Sequence, residues 1–149
     1  MKRLKWIAIL LSLFIFAGCS SKDVEIDINK LADDLKNNVS FADTLDEPVN
    51  SPYTDVDEAD IKAQKIYFGT GATGEMIAVF ETVDKDAAGR VLKALEDYIE
   101  YQMEENEDYN PDAIKRLKDP VLIKTGKYVI LCVSDDNAAA KECIKKYTK

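Results

Sequence analysis

Apolar residues recur along the chain with the spacing of helices in some segments and of strands in others. Ile28, Leu31 and Leu35 lie three or four residues apart, which predicts a helix over Val24–Asn37. Asp27 stands where a side chain can accept a hydrogen bond from the first turn of that helix. The first element of the predicted domain is therefore an amphipathic helix.

Four later segments have the apolar and β-branched composition of strands. Each pair of them is followed by a helical pattern: a long one from Asp84 to about Glu105, and a last one that begins at Ser134 or Asp135. A short helix that starts with Pro111 separates the two pairs. The predicted strands are Ile61–Phe68, Glu75–Val83, Val121–Ile123 and Tyr128–Val133.

The second strand–strand–helix segment echoes the first. Shifted by 52 residues, Met76–Leu95 lies over Tyr128–Tyr147. Two similar helix caps would produce the same echo, so a duplicated ββα unit is one of two alternatives. In either case we expect a small α+β domain of two layers, with an antiparallel sheet of about four strands and helices on one face.

Two loops stand out between these elements. Ser40–Asp60 shows no period, although loops longer than ~12–15 residues are unusual in compact domains. Phe41, Leu45 and Tyr53 are expected to pin it to the core. Gly69–Gly74 matches the letters G-x-G-x-x-G, but a strand follows it where a dinucleotide site needs a helix. We interpret it as a hairpin loop, and we expect both loops to be contact surfaces.

The N-terminus has the features of a bacterial lipoprotein signal. Lys2, Arg3 and Lys5 precede the apolar run Trp6–Phe16. That run is shorter than the ~20 apolar residues that cross a membrane, and it fits the core of a signal peptide. The letters FAGC, which end at Cys19, resemble the lipobox, the motif in which a cysteine receives a diacylglycerol before cleavage. The alternatives are an ordinary secretory signal or an uncleaved anchor.

These features divide the chain into three parts. We expect a signal peptide over residues 1–18, a lipid-bearing Cys19 with a tether over residues 19–27, and one α+β domain over residues 28–149. A chain that is acylated in this way is held stably at a bilayer. The expected location is the extracytoplasmic face of the cell membrane, which the protein contacts through the lipid on Cys19.

Charge and composition remove several classes of function. The signal holds three of the 20 basic residues and none of the 28 acidic ones, so cleavage changes the net charge from −8 to −11. Such a domain is repelled by nucleic acid. The chain has no histidine, which excludes Ser-His-Asp and Cys-His catalysis. Asp55 and Asp57 lack the further ligands of a calcium loop, and we expect no metal, no cofactor and no enzymatic activity.

The cysteines and the tyrosines each leave two interpretations open. Cys132 lies in a predicted strand and Cys143 in the helix expected to pack over it, so they could form a disulfide in an oxidising compartment. The alternative is a pair of small buried thiols. The seven tyrosines could line a groove for a sugar or peptide, but half-buried positions at the core suit them better.

Several segments taken together resemble a known family. These segments are the lipobox, the Tyr109-Asn110-Pro111 turn, EMIAVFETVDKDAAGRVLKALEDYIEYQ and GKYVILCVSDDNAAA. In them the chain is similar to a family of small lipoproteins from clostridia-like Gram-positive bacteria, the domain of unknown function number 4358. The resemblance runs from Ile28 to the C-terminus. It implies a fold and a location outside the cytoplasmic membrane, but no activity, ligand or catalytic residue.

Two hypotheses about function follow. The first is a lipid-anchored, non-catalytic binding or interaction module of the cell envelope, whose partner is an unknown envelope protein or small ligand. The alternative is a cell-envelope enzyme of the hydrolase type that uses carboxylate or tyrosine side chains. The enzyme would need a deep pocket that contains at least two acids with shifted pKa values.

Overall fold

The computed structural model describes residues 23–149, so the predicted signal peptide and Cys19 lie outside the described residues. Within residues 23–149, no helix is both long and apolar enough to span a membrane. The described chain forms one four-stranded antiparallel sheet and four α-helices. In chain order the elements are α1 (Ile28–Asn38), β1 (Ile61–Phe68), β2 (Met76–Thr82), α2 (Lys85–Asn106), α3 (Pro111–Leu117), β3 (Val121–Thr125), β4 (Tyr128–Val133) and α4 (Asn137–Lys145).

The predicted elements are confirmed with small changes at their ends. β1 and β4 have the predicted bounds, and Asp27 and Asp84 cap α1 and α2 through their side chains. The last helix begins later than expected, because the carboxylate of Asp136 accepts the hydrogen bond from Ala139 N–H and so defines the first turn. The α+β class and the four-stranded antiparallel sheet are therefore confirmed.

The strand order is β1-β2-β4-β3, and every neighbouring pair is antiparallel. β2 and β4 are the two central strands, and Ala78 of one lies opposite Leu131 of the other. All six residues of β4 and six of the seven in β2 are buried. A strand that is apolar at consecutive positions must be covered on both of its faces.

Helices cover both faces, which corrects the expectation of two layers with helices on one face. On one face α1 and α4 pack against Ile77, Val79 and Ile130. On the other face α2 and α3 pack against Met76, Ala78, Phe80 and Leu131. The domain therefore has three layers, because the unbroken apolar runs of β2 and β4 present hydrophobic side chains in both directions.

The same arrangement argues against a symmetric duplicated ββα unit. In a symmetric duplication, a twofold rotation about the normal to the sheet would place the β1–β2 hairpin on the β3–β4 hairpin. Such a rotation keeps each face of the sheet, so α2 and α4 would lie on the same face. They pack on opposite faces. The sequence echo comes instead from two equivalent helix starts, since Asp84 bonds Ala87 N–H just as Asp136 bonds Ala139 N–H.

The long segment before β1 is pinned to the domain as expected. Leu45 and Tyr53 are buried, and Phe41 packs against the α1–α4 side of the core. Asp46 forms an isolated antiparallel bridge with Phe68, the last residue of β1. The segment therefore runs along the edge of the domain in contact with it, with a short 3-10 turn just before β1.

Candidate functional site

The described chain begins at one end of the sheet, which we call the entry end. The carboxylate of Asp23 lies 3.1 Å from the ammonium nitrogen of Lys85, the first residue of α2. Lys127 lies in the turn between β3 and β4, and its hydrogen bond to Glu81 is the main cause that raises its pKa. The nearby negative charge of Glu25 also raises the pKa of Lys127, to a smaller extent. Residues 23–25 therefore lie beside the start of α2 and the β3–β4 turn.

The opposite end of the sheet, which we call the far end, carries most of the buried polar groups. It consists of the Gly69–Gly74 loop between β1 and β2, of α3, and of the connection between β4 and α4. α1 runs from the entry end to the far end, and Ala42 and Asp43 follow it there. Four separate parts of the chain thus meet at the far end.

Glu75 is the central group of the far end, and its side chain is fully buried. One carboxylate oxygen accepts the N–H of Ala42 and the other accepts the N–H of Asp43, both at 2.9 Å. Arg116 Nε lies 3.6 Å from Glu75 Oε1, which is close enough for an ion pair but too long for a hydrogen bond. Glu75 therefore ties the segment after α1 to the start of β2 and to α3.

Arg116 completes this network from α3. One terminal nitrogen donates to the carbonyl of Thr73 at 3.0 Å and the other donates to Asp135 Oδ2 at 2.9 Å. The hydrogen bond to Asp135 is the main cause that raises the pKa of Arg116, and the charge of Glu75 adds to it. The guanidinium charge is thus compensated on two sides, so Arg116 holds the far end together and has little charge to offer to an anion.

The glycine-rich loop is docked onto the same network, as a hairpin loop between two antiparallel strands. Asp43 Oδ2 accepts hydrogen bonds from the backbone and the hydroxyl of Thr70, both at 2.7 Å, and these bonds lower the pKa of Asp43. A side chain at Gly69 would place its Cβ 2.9 Å from that same oxygen. Glycine at position 69 allows this close approach without displacing the Asp43 carboxylate, and the loop has no helix after it to hold a dinucleotide.

A cleft of about 330 Å³ opens between α3 and the start of α4. Asn137 closes one side of it, because its amide nitrogen donates to the carbonyl of Asp119 at 2.6 Å and to the carboxylate of Asp119 at 3.0 Å. The cleft is polar and half open, and it offers hydrogen bonds of both kinds. Its lining residues are Asp112, Lys115, Arg116, Asp119, Ser134, Asp135 and Asn137.

The acids with displaced pKa values do not suit acid catalysis. Hydrogen bonds from Thr70, Arg90 and Lys127 lower the pKa values of Asp43, Asp60 and Glu81 respectively. A general acid at neutral pH needs a raised pKa, so these three acids are poor candidates. Within residues 23–149, no group of three or more acidic or cysteine side chains is placed to hold a metal ion.

Cys132 and Cys143 are free thiols, and both are buried in the part of the core that α1 and α4 cover. Of the two alternatives for this pair, the structure therefore has the buried thiols and not the disulfide. Burial raises the pKa of Cys132 to about 12 and also raises the pKa of Cys143. Neither thiol is a nucleophile at neutral pH, because the thiolate is the reactive form.

The sequence pointed to only part of the far end. The Gly69–Gly74 loop lies there, but only the first residues of Ser40–Asp60 do, since that segment continues along the domain to Asp60 at the entry end. The roles of Arg116 and Asn137 were missed. One signal was available, because a glutamate directly before an apolar run of a strand needs hydrogen-bond donors or a cation as partners once it is buried.

A comparison with protein families covers most of the described domain. The profile of the family described as domain of unknown function (DUF4358) matches residues 34–134. The chain belongs to this family. The matched range contains the whole sheet together with Glu75 and Arg116, whereas Asp135 and Asn137 lie just beyond it. No curated protein and no solved structure matches the chain.

Proposed function

We propose that this member of the family is a lipoprotein anchored through Cys19 on the extracytoplasmic face of the cell membrane, where its domain is a non-catalytic binding module of the envelope. The observation that carries the proposal is the N-terminal sequence, in which a basic start and the apolar run Trp6–Phe16 lead directly to the FAGC motif. The folded domain follows the motif within a few residues.

The short tether gives the domain a defined orientation in this proposal. Four residue steps separate Cys19 from Asp23, and an extended chain spans at most ~3.6 Å per residue, which is about 14 Å in total. The entry end, where Asp23 contacts Lys85, is then held next to the bilayer. The far end is directed away from the membrane and is presented to other components of the envelope.

The surface charge supports attachment through the lipid alone. The mature chain has a net charge of −11 once the three basic residues of the signal are removed from a total of −8. Anionic headgroups repel such a surface. Two or more acyl chains, by contrast, give stable binding without help from the protein.

The test is a substitution of the proposed lipidated cysteine in the intact bacterium. Wild-type protein should incorporate labelled fatty acid and sediment with membranes. Cys19→Ala should remain unlabelled and keep its signal peptide, so that it migrates more slowly. Cys143→Ala is the matched control, since it also removes a thiol but should be labelled and processed like the wild type. A wild-type chain that takes up no fatty acid would overturn the proposal.

A further inference from the structure

The outer edge of β1 is open for hydrogen bonding. In an antiparallel sheet, residues whose N–H and C=O bond one neighbouring strand alternate with residues whose groups point the other way. Phe68 exchanges two backbone hydrogen bonds with Asp46, on the side away from β2, so Gln64 and Ile66 point to that side as well. Within residues 23–149 the backbone groups of Gln64 and Ile66 have no hydrogen-bond partner on that side.

The outer edge of β3 is open in the same way. Thr125 and Tyr128 enclose a two-residue turn and form the bonded pair that closes the β3–β4 hairpin. By alternation, Leu122 and Lys124 direct their N–H and C=O groups away from β4. Neither residue has a backbone partner on that side in the part of the chain that the structure describes. A strand edge that is left unpaired can accept a further strand.

The two open edges match in level and have opposite directions. Through the registers of the three strand pairs, Gln64 lies level with Lys124, and Ile66 lies level with Leu122. β1 runs from the entry end to the far end, and β3 runs the other way. If β3 of a second copy lies beside β1 of a first copy at the same level, the two strands are therefore antiparallel. Gln64 is then opposite Lys124, and Ile66 is opposite Leu122.

The side chains and the strand ends fit this arrangement. Ile66 and Leu122 lie on the face of the sheet that α2 covers, and Leu122 is only partly buried, so pairing would cover more of an apolar side chain. β3 begins one position short of the level of Phe68. The added strand would thus end just before Phe68, whose outer backbone groups already bond Asp46.

The charges on the two sides of the domain are opposite. The segment Ser40–Asp60, which bridges to the end of β1, contains seven acidic residues and no basic one. Residues 111–149, which form α3, β3, β4 and α4, contain nine basic and five acidic residues. Exposed Lys118, just before β3, would approach exposed Asp46 of the other copy. Pairing of two β3 edges, or of two β1 edges, would bring like charges together instead.

We propose that the β3 edge of one copy of this chain pairs with the β1 edge of a second copy, so that the partner in the envelope is another molecule of the same protein. The two residues of a bonded antiparallel pair exchange two hydrogen bonds. The pairs Gln64–Lys124 and Ile66–Leu122 would therefore satisfy all the open backbone groups of both edges.

The twist of the sheet limits the assembly to two copies at a membrane. Neighbouring strands rotate by about 20–25°, so four such steps turn the second copy by roughly 80–100° relative to the first. Two anchored copies can share this rotation by tilting in opposite directions. A third copy would turn its entry end away from the bilayer. Only this limit rests on the proposed function, because the edges themselves do not depend on the lipid.

Cysteine crosslinking in the intact bacterium tests the pairing. Cells would express Gln64→Cys, Lys124→Cys or both single variants together, and copper phenanthroline would be added as a mild oxidant. Directly opposite residues have Cβ atoms about 5 Å apart, close to the separation in a disulfide. The two variants together should form a linked dimer, whereas each variant alone should stay monomeric because like edges do not meet.

The matched control is the pair Lys93→Cys and Lys145→Cys, expressed together. These side chains are 67% and 61% exposed, on helices that cover opposite faces of the sheet. They should give no more dimer than a single variant. Equal dimer yields from the Gln64→Cys and Lys124→Cys mixture and from either variant alone, or from the control pair, would overturn the proposal.

A proline at position 122 tests whether backbone hydrogen bonds hold the pair. Leu122→Pro removes an outward N–H that has no partner within the described domain, so β3 keeps its bonds to β4. Added to the Lys124→Cys chain, it should abolish the crosslink to Gln64→Cys. Leu122→Ala, which loses the side chain but keeps the N–H, should retain the crosslink. Circular dichroism checks that both variants fold, and equal crosslinking in the two folded variants would refute backbone pairing.

The outcomes for the pairing and for the anchor are distinguishable. Absence of the mixed dimer in a chain that takes up fatty acid would refute the pairing and leave the anchor intact. A mixed dimer in a chain that takes up no fatty acid would refute the anchor and leave the pairing intact.

Discussion

Replacement of Glu75 by glutamine should destabilise the domain strongly, although the two side chains have nearly the same shape. A glutamine side chain could accept only one of the two N–H groups, from Ala42 and Asp43, that the carboxylate accepts at 2.9 Å. Its amide nitrogen would face the other donor. The charge of Arg116, whose side chain is only 10% exposed, would also lose its closest fully buried partner.

The size of the effect follows from these contacts. Breaking a buried ion pair by removing one partner costs about 3–5 kcal/mol, and a hydrogen bond to a charged group contributes about 1.5–3 kcal/mol. Asp135 and the Thr73 carbonyl still compensate Arg116 in the variant, so we expect the lower part of that range, about 3 kcal/mol. At roughly 4 °C per kcal/mol this lowers the unfolding temperature by about 12 °C.

Urea unfolding followed by far-ultraviolet circular dichroism measures the effect. The single tryptophan, Trp6, lies in the predicted signal and cannot report on the domain. Glu47→Gln is the matched control, because Glu47 is 60% exposed in its pair with Lys65 and its loss should cost less than about 1 kcal/mol. A loss below about 1 kcal/mol for Glu75→Gln would refute the central role given to this carboxylate.

Three further predictions concern other parts of the core and the surface. The hydroxyl of Tyr53 is buried with no hydrogen-bond partner within the described chain. Tyr53→Phe should therefore leave the free energy of unfolding unchanged or raise it by up to about 1 kcal/mol. A decrease in the free energy of unfolding by more than about 1 kcal/mol would show that the hydroxyl has a hydrogen-bond partner. Hydrogen bonds from Lys127 and Lys62 lower the pKa of Glu81 below 4.5, so its contribution is present above pH 4.5 and is lost as the pH falls through its folded pKa. The free energy of unfolding of the Glu81→Gln variant should therefore decrease less steeply below pH 4.5 than that of the wild type, when unfolding is measured over a series of acidic pH values. Cys132 and Cys143 should resist iodoacetamide in the native state and react fully, without prior reduction, in urea; a mass that lacks both adducts would indicate a disulfide.

The secondary structure could be predicted because its causes are local. Asp27 and Asp84 each bond an N–H three residues further along the chain, and the apolar spacing of Leu31 and Leu35 lies within two helical turns. β1 and β4 were bounded by polar or turn-forming residues on both sides. The sequence was sufficient wherever an element is defined by neighbours in the chain.

The layers and the far-end network depend on distant contacts and were harder to predict. Consecutive buried positions in β2 and β4 required helices on both faces, but a continuous apolar run does not state how many helices cover it. Glu75 and Arg116 are 41 positions apart, and nothing near either residue indicates the other.

The orientation of the domain at the membrane is tested most directly by labelling its two ends. The acylated full chain would be placed in vesicles that carry a quencher on the lipid headgroups, with a fluorophore on Lys85→Cys at the entry end or on Tyr109→Cys at the far end, where Asn110 contacts the glycine-rich loop. The buried Cys132 and Cys143 should not react with the label. The two positions are about 35 Å apart along α2 and its extension. We predict strong quenching at position 85 and little at position 109; equal quenching, or the reverse order, would contradict the account.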